Sequence, residues 1–298
     1  MTKLSMFLAA TTVAFLGGLT ERSLVAAQGN VDAPADQASP AAPGSSEMDD
    51  EDPLDSQDQV AFDAAAALNP GSAPGGNFDL SVWELQEPVG SPGSPNTIKP
   101  AQLKGASGFH DKFFFTDTSD GSMTFWDPEN GVTTPNSNFS RSELREMTSS
   151  GAAADWAISG THTLSATVKI TQVPDHVAVG QIHLGTGTPA STKPLLELFY
   201  HSNGDIDLAI EQTPAGGNEV SHHVGHVSLG TKWSYVIGLS GNAITLVINS
   251  GATQKFTMSS TFNNEHMYFK AGNYDQSSGP SSTVGAKVHF YALKIHHG

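Results

Sequence analysis

Cysteine is absent from the 298-residue chain, which excludes a disulfide-stapled fold, a thiolate metal centre and a cysteine nucleophile. Positive charge is scarce as well: 14 Lys and Arg stand against 30 Asp and Glu, for a formal net charge of -16. A balance of that sign offers no electrostatic footprint for nucleic acid or for an anionic membrane. A polyanion could be held only at a local cluster of cations. Helical periodicity is missing too, since no window of ten or more residues carries an apolar stripe at helical spacing. Long hydrophobic runs are missing with one exception. Residues 4–19 (LSMFLAATTVAFLGGL) follow Lys3 and precede Val25-Ala26-Ala27. This short apolar stretch with a small-x-small end reads as a secretory signal peptide over residues 1–27. It is too short and too abruptly flanked to span a bilayer comfortably. An uncleaved N-terminal anchor is the alternative.

Between Gln28 and Pro70 there are ten acids and no Lys or Arg, in a background of Ala, Pro, Ser and Gly. Such a segment buries too little apolar area to offset its ordering entropy. The expectation is an acidic disordered tether over residues 28–76. With the +1 of the leader and the -10 of this stretch set aside, residues 71–298 carry -7. The folded domain is expected over residues 77–298, secreted, with no membrane contact once the signal is cleaved.

What the domain does have is strand alternation. Leu164, Ala166, Val168 and Ile170 alternate with Ser165, Thr167 and Lys169, which puts one face in a core. Leu196, Leu198 and Tyr200 run up to Asn203-Gly204, after which Ile206, Leu208 and Ile210 alternate again. Asn-Gly between two such runs predicts a hairpin with a type I′ turn, whose two central residues both need positive φ. A second hairpin is expected at Ser240-Gly241-Asn242, leading into Ile244, Leu246 and Ile248, and the C-terminal AKVHFYALKI closes the series. This spacing over about 220 residues predicts an all-β two-sheet antiparallel sandwich or jelly roll with a concave groove.

Three segments depart from the pattern of apolar inside and neutral outside. In RSELRE, strand periodicity sets Arg141, Glu143 and Arg145 on one face; in VGQIH, Gln181 and His183 share a face; in YFKAGNY, Tyr268, Lys270, Gly272 and Tyr274 share the face opposite Met267, Phe269 and Ala271. Each has a bland reading: a ladder of surface ion pairs, a satisfied histidine, an edge strand with a bulge at Gly272. Together they would form a cationic, hydrogen-bonding groove.

At these residues the sequence resembles the alginate lyases of polysaccharide lyase family 7. RSELRE (141–146), QIH (181–183) and YFKAGNY (268–274) look like the family's three signature blocks, in order; FDLSVWELQEPVG (78–90), TFWDPENG (124–131) and KPLLELFY (193–200) are similar as well. The resemblance covers about 77–298 and implies a β-jelly roll whose concave face binds a uronate polysaccharide, the one partner expected of a monomer. It further implies that Arg141, Gln181 and His183 surround the carboxylate of the sugar beside the scissile bond, and that Tyr274 transfers the proton. Arg145, Lys270 and Tyr268 would bind neighbouring substrate, and Glu143 would hold both guanidiniums in place.

The chemistry suits these residue types. β-Elimination removes a C5 proton α to a carboxylate, so the developing charge must be stabilised first, and preorganised cationic and amide donors do that. Arg meets a carboxylate bidentately. Cations flanking Tyr274 would favour its phenolate. One tyrosine can serve both proton transfers where C5–H and O4 lie on the same side, as in mannuronate; for guluronate His183 is the better base with Tyr274 as acid. No metal or other cofactor is expected. His222, His223, His226, His296 and His297 are read as exposed loop or terminal residues. The Ile in QIH is, within the family, associated with guluronate-containing or mixed blocks, and endo action is expected.

Three rivals stand beside this reading. A glucanase would need paired acids, for which Asp205 and Asp207, with Glu211 beyond, are the candidates. A lectin would keep aromatic platforms such as Trp83, Trp126 and Trp156 without needing Gln181, His183 and Tyr274 together. A lyase on another uronan, such as glucuronan, would share every motif. Asn138-Phe139-Ser140 is the chain's N-glycosylation sequon, just before Arg141.

Overall fold

The computed structural model describes residues 67–185 and 193–298. The signal peptide expected over 1–27 and the acidic stretch up to residue 66 lie outside these residues. In chain order the elements are α1 (Pro74–Asn77), β1 (Trp83–Ser91), β2 (Ser94–Ile98), α2 (Pro100–Leu103), β3 (Phe114–Thr116), β4 (Met123–Pro128), β5 (Ser142–Glu146), β6 (Trp156–Ala157), β7 (Thr161–Gln172) and β8 (His176–Leu184). There follow β9 (Pro194–His201), β10 (Asp205–Glu211), β11 (Glu219–His226), β12 (Lys232–Ser240), β13 (Ala243–Ile248), β14 (Gln254–Thr257), a 3₁₀ turn (Ser260–Phe262), β15 (His266–Asp275) and β16 (Gly285–His297).

Among the described residues the strands form two antiparallel sheets. Sheet A runs β11-β10-β9-β8-β15-β5-β1-β2, with the short β6 also paired to β15, and sheet B runs β14-β13-β12-β7-β16-β4-β3. The alternation read from the sequence determines which side faces the partner sheet. Leu164, Ala166, Val168 and Ile170 of β7, and Leu196, Leu198 and Tyr200 of β9, are buried between the sheets. So are Ile182 and Leu184 of β8 and Phe269 and Ala271 of β15. Each large apolar side chain buried this way contributes on the order of 1.5–3 kcal/mol, a sum that replaces the missing disulfides.

Two polar ties fix how the sheets lie on one another. The Tyr235 hydroxyl of sheet B donates to the Val179 carbonyl of sheet A at 2.7 Å. That approach requires glycine at position 180, because a Cβ there would lie 2.8 Å from the hydroxyl oxygen. In the other direction Asn273, fully buried on β15, donates from Nδ2 to the Phe125 and Ala286 carbonyls of sheet B at 3.2 and 2.7 Å. A buried amide with two backbone acceptors is worth keeping only in one geometry, so Asn273 sets the position of its neighbour Tyr274.

Two expectations are corrected. At Asn203-Gly204 only the glycine takes positive φ, at 93°, so the turn is not type I′. Asn203 instead accepts the Asp205 backbone N–H through Oδ1, and the loop is one residue longer than the tight form. The tether expected over residues 28–76 ends earlier, because residues 67–76 belong to the folded part. Leu68 packs on the core, Ser72, Ala73 and Pro74 are buried, and Asn77 clasps the Asn69 backbone and the Gly121 carbonyl. Small residues can still pack when the surface they cover is preformed, which composition alone does not reveal.

Candidate active site

The outward face of sheet A gathers the three segments on adjacent strands. β15 lies between β8 and β5, with Tyr268 opposite His183, Lys270 opposite both Gln181 and Arg145, and Gly272 opposite Glu143. A bulge after Ala271 shifts the β8 pairing. Gly272 has a φ of 147°, and a Cβ on it would sit 2.8 Å from the Glu143 Cα. Only glycine fits there, and its empty side-chain position lets Glu143 lean across β15.

Glu143, 1% exposed, is therefore the hub of the site. It accepts from Arg141 Nη1 at 3.1 Å, from the Lys270 ammonium and from the Gln181 amide nitrogen. This corrects the expectation that Glu143 would hold both guanidiniums. Arg145 turns away, stacking over the Tyr268 ring at 4.1 Å and reaching Met147 Sδ at 3.4 Å. Lys270 takes its place as the diagonal cross-strand neighbour of Glu143, beside the vacant Gly272 position.

Arg141, just ahead of β5, is buried with Glu143 and stacks over the Tyr274 ring at 3.7 Å. Its Nη2 donates to Ser137 Oγ at 3.3 Å, and that hydroxyl is also 3.0 Å from the Tyr274 hydroxyl. Arg141 thus lies on the ring face, and the phenolic oxygen is held by Ser137. Lys270 is farther, 5.9 Å from the ring centroid. Tyr274 packs its body on Ala178, Phe199 and Ala209, so the hydroxyl is aimed by apolar contact on one side and by Ser137 on the other.

His183 Nδ1 lies 3.0 Å from the Leu184 carbonyl. A carbonyl only accepts, so Nδ1 carries the proton and Nε2 the lone pair. Burial, with Lys270, Arg141 and Arg145 adding to it, holds the imidazole well below its ordinary pKa. The ring is therefore neutral near neutral pH, the form that can accept a proton at Nε2. Burial also brings the Lys270 ammonium down to about 8, Arg141 adding to the fall and Glu143 opposing it.

Arg141, Gln181, His183, Tyr268 and Tyr274 line one cleft of about 370 Å³ together with Gln86, Thr134, Asn136, Ser137, Lys193, Pro194 and Glu197. Glu143 and Lys270 brace it from beneath, and Arg145 flanks it through Tyr268. Ser137 and Glu197 are among the members that the sequence does not single out. Ser137 has no motif of its own, and Glu197 occupies the outward position of an alternating strand, where a charged residue is unremarkable. Only the register, which sets Glu197 opposite Gln181, brings it to the cleft. Asn138 is exposed beside this rim, while Ser140 is buried against Asp127.

The rival constellations are elsewhere engaged. Asp207 pairs with His201 and His223 at 3.2 Å, Asp205 with His226 at 2.9 Å, and Glu211 caps the turn through the Gly217 and Asn218 backbone N–H groups. Trp83 is buried in the core, Trp156 donates to Glu146 at 2.9 Å, and Trp126 lies under Lys287 on sheet B. His222, His223 and His226 stand on β11 instead of a loop, and His297 is hydrogen-bonded to Glu146 at 2.8 Å instead of free at the terminus. Among the described residues no group of three or more His, Asp or Glu is arranged to hold a metal ion.

A family model described as alginate lyase matches residues 78–297. A curated alginate lyase of Klebsiella pneumoniae is 28% identical over 289 residues, covering 76% of this chain and 92% of that protein. A crystal structure of an alginate lyase from Pseudomonas aeruginosa superposes with a TM-score of 0.67 at 31% identity, over 74% of this chain and 100% of its own. A variant of the family 7 alginate lyase A1-II′ in complex with the product GGG gives 0.68 at 34% identity, over 76% and 100% of the two chains. In that variant a tyrosine is replaced by phenylalanine.

Proposed function

The chain belongs to the alginate lyase family and is a polysaccharide lyase, and from that premise we propose how its cleft works and on which polymer. Arg141 and Gln181 take the carboxylate of the uronate beside the scissile bond. The arginine supplies charge, and the second amide N–H of Gln181, beyond the one given to Glu143, supplies a hydrogen bond. As C5–H is lost, the electron pair moves toward this carboxylate and then expels O4, leaving a 4,5-unsaturated sugar. In guluronate the neutral His183 takes the C5 proton at Nε2 and the Tyr274 hydroxyl protonates O4; in mannuronate Tyr274 can serve both steps. Glu143 holds the arginine, the lysine and the glutamine in place, so little reorganisation is needed as charge develops.

The observation that carries this reading is the convergence of a neutral imidazole, a buried arginine, an amide and a phenol on one cleft. The residue types altered to trap the relative's complexes, a tyrosine alone or with a histidine, are those given the proton transfers here. The expected product is an oligosaccharide from endo cleavage of guluronate-containing or mixed alginate. The enzyme acts as a secreted monomer, its acidic segment a dispensable tether. A eukaryotic secretory host would add a glycan at Asn138, on the cleft rim. Incubation of the purified domain with alginate, polymannuronate, polyguluronate and glucuronan, followed by the ultraviolet absorbance of the unsaturated sugar, tests the assignment. Preference for glucuronan, or binding without any product, would overturn it.

A further inference from the structure

The cleft contains a carboxyl that the reaction described above leaves idle. Glu197 lies on β9 directly opposite Gln181 and lines the cleft with Arg141, His183 and Tyr274. It is half-buried, in a site built for a polymer with a carboxylate on each sugar. Two cations whose charge acts on it, Lys270 and Arg141, already pair with Glu143. An ionised Glu197 would oppose an incoming uronate in a partly desolvated space, where like charges repel far more than in water. A protonated Glu197 is a different group: it gains an O–H donor that can be given to a uronate oxygen.

We propose that Glu197 is a substrate-binding residue that receives alginate in its neutral form, donating its carboxylic O–H to a uronate, so that binding is accompanied by uptake of one proton. The inference rests on the lyase reading above. The surroundings favour it: burial pushes the Glu197 carboxyl up to about 7, Glu219 and Glu143 add to the rise, and Lys270 and Arg141 oppose it. The groups that face it are Arg141 and Glu143 at β5, Lys270 and Tyr274 on β15, Gln181 and His183 on β8, Glu219 on β11, and Lys193 at the start of its own strand. Lys270, lowered to about 8, would also gain a proton when a polyanion arrives. The wild type alone therefore does not isolate Glu197, whereas comparison with the isosteric amide does.

The experiment measures kcat and KM on alginate between about pH 6 and pH 9 for the wild type, Glu197→Gln and Glu197→Asp. One obligatory proton makes the wild-type KM rise about tenfold per pH unit above about 7. Glu197→Gln should abolish the rise between about pH 7 and 8, and Glu197→Asp should keep a rise, displaced along the pH axis. Calorimetry with an alginate oligosaccharide on the Tyr274→Phe background, in buffers of different ionisation enthalpy at about pH 7.5, should show about 0.8 proton less uptake when Glu197 is Gln. Parallel KM profiles in the wild type and Glu197→Gln, or equal proton uptake, overturn the proposal. A wild type that forms no unsaturated sugar from alginate defeats the lyase reading instead, which is a separate outcome.

Discussion

The outward face of sheet A carries two clusters of charged and titratable side chains, and they differ less in composition than in environment. At the centre, Arg141, Lys270 and Gln181 converge on Glu143, with side-chain exposures of 11% and 7% for the two cations and 1% for the carboxylate. On the flank formed by β9, β10 and β11, His201 and His223 converge on Asp207, where His223 is 61% exposed and the carboxylate 25%. Both are carboxylates approached by more than one nitrogen. Only the first is desolvated, so only there do charge and geometry persist against solvent competition, and only there would a substrate carboxylate meet a field that water has not screened.

The largest effect should separate chemistry from binding at the centre. Tyr274→Phe keeps the ring against Ala178, Phe199 and Ala209 and keeps Arg141 stacked on it, removing one oxygen. Turnover of alginate should fall by at least about 10² to 10⁴, the usual loss for a general acid or base. Oligosaccharide affinity should change by only about 1 kcal/mol. Unchanged turnover would remove Tyr274 from the reaction and leave the centre no more catalytic than the flank.

Next comes the hub itself. Glu143→Ala leaves two buried cations without their shared partner, and breaking a buried pair from one side costs about 3–5 kcal/mol. Urea denaturation should show that loss together with reduced turnover, and Glu143→Gln should recover part of both, its amide oxygen keeping the bond from Arg141 while its amide nitrogen donates to a Gln181 side chain turned to present its oxygen. A loss below about 1 kcal/mol would put Glu143 in the same class as an exposed surface carboxylate.

This hub also marks where the sequence stopped being legible. Alternation revealed both sheets, the face each strand buries and the three segments that meet. It did not reveal that Glu143 would choose Lys270 over Arg145, because that choice depends on the open position at Gly272 and on a strand register that joins distant parts of the chain. Glu197 was hidden for a related reason: a glutamate on the outward side of PLLELFY is ordinary until β9 is placed beside β8. The buried Ser72, Ala73 and Pro74 are invisible to composition, because Ala, Ser, Pro and Gly look alike in a linker and in a close-fitted segment.

Histidines sharpen the same contrast through pH. His289 on sheet B is 5% exposed, with Thr124 Oγ1 at 3.0 Å from Nδ1 and Thr171 Oγ1 at 3.0 Å from Nε2. Burial, joined by Lys169, brings its pKa down to about 4, against a smaller opposing pull from Asp117 and Asp120. Since the unfolded chain binds the proton first, the stabilisation due to neutral His289 is full above about pH 6.5 and is lost as the pH falls toward about 4. The stability difference between the wild type and His289→Gln should therefore shift toward the variant by about 3 kcal/mol over that window. A pH-independent difference would mean that His289 titrates alike folded and unfolded.

The smallest effect is expected on the flank. His223 contacts Asp207 at 3.2 Å from a largely exposed position, and exposed pairs of this kind contribute about 0–1 kcal/mol because water and salt replace either partner readily. Asp207 retains His201 on its other oxygen, so His223→Gln strands no buried charge. The variant should unfold at nearly the wild-type urea concentration, with the difference vanishing in high salt, and should turn over alginate at the wild-type rate with unchanged KM. The comparison breaks if this substitution raises KM severalfold, because an exposed, solvent-shared pair would then be contributing to substrate binding as strongly as the desolvated centre. It would also show that the polymer reaches across β9 and β10, extending the binding face to the β11 edge of the sheet.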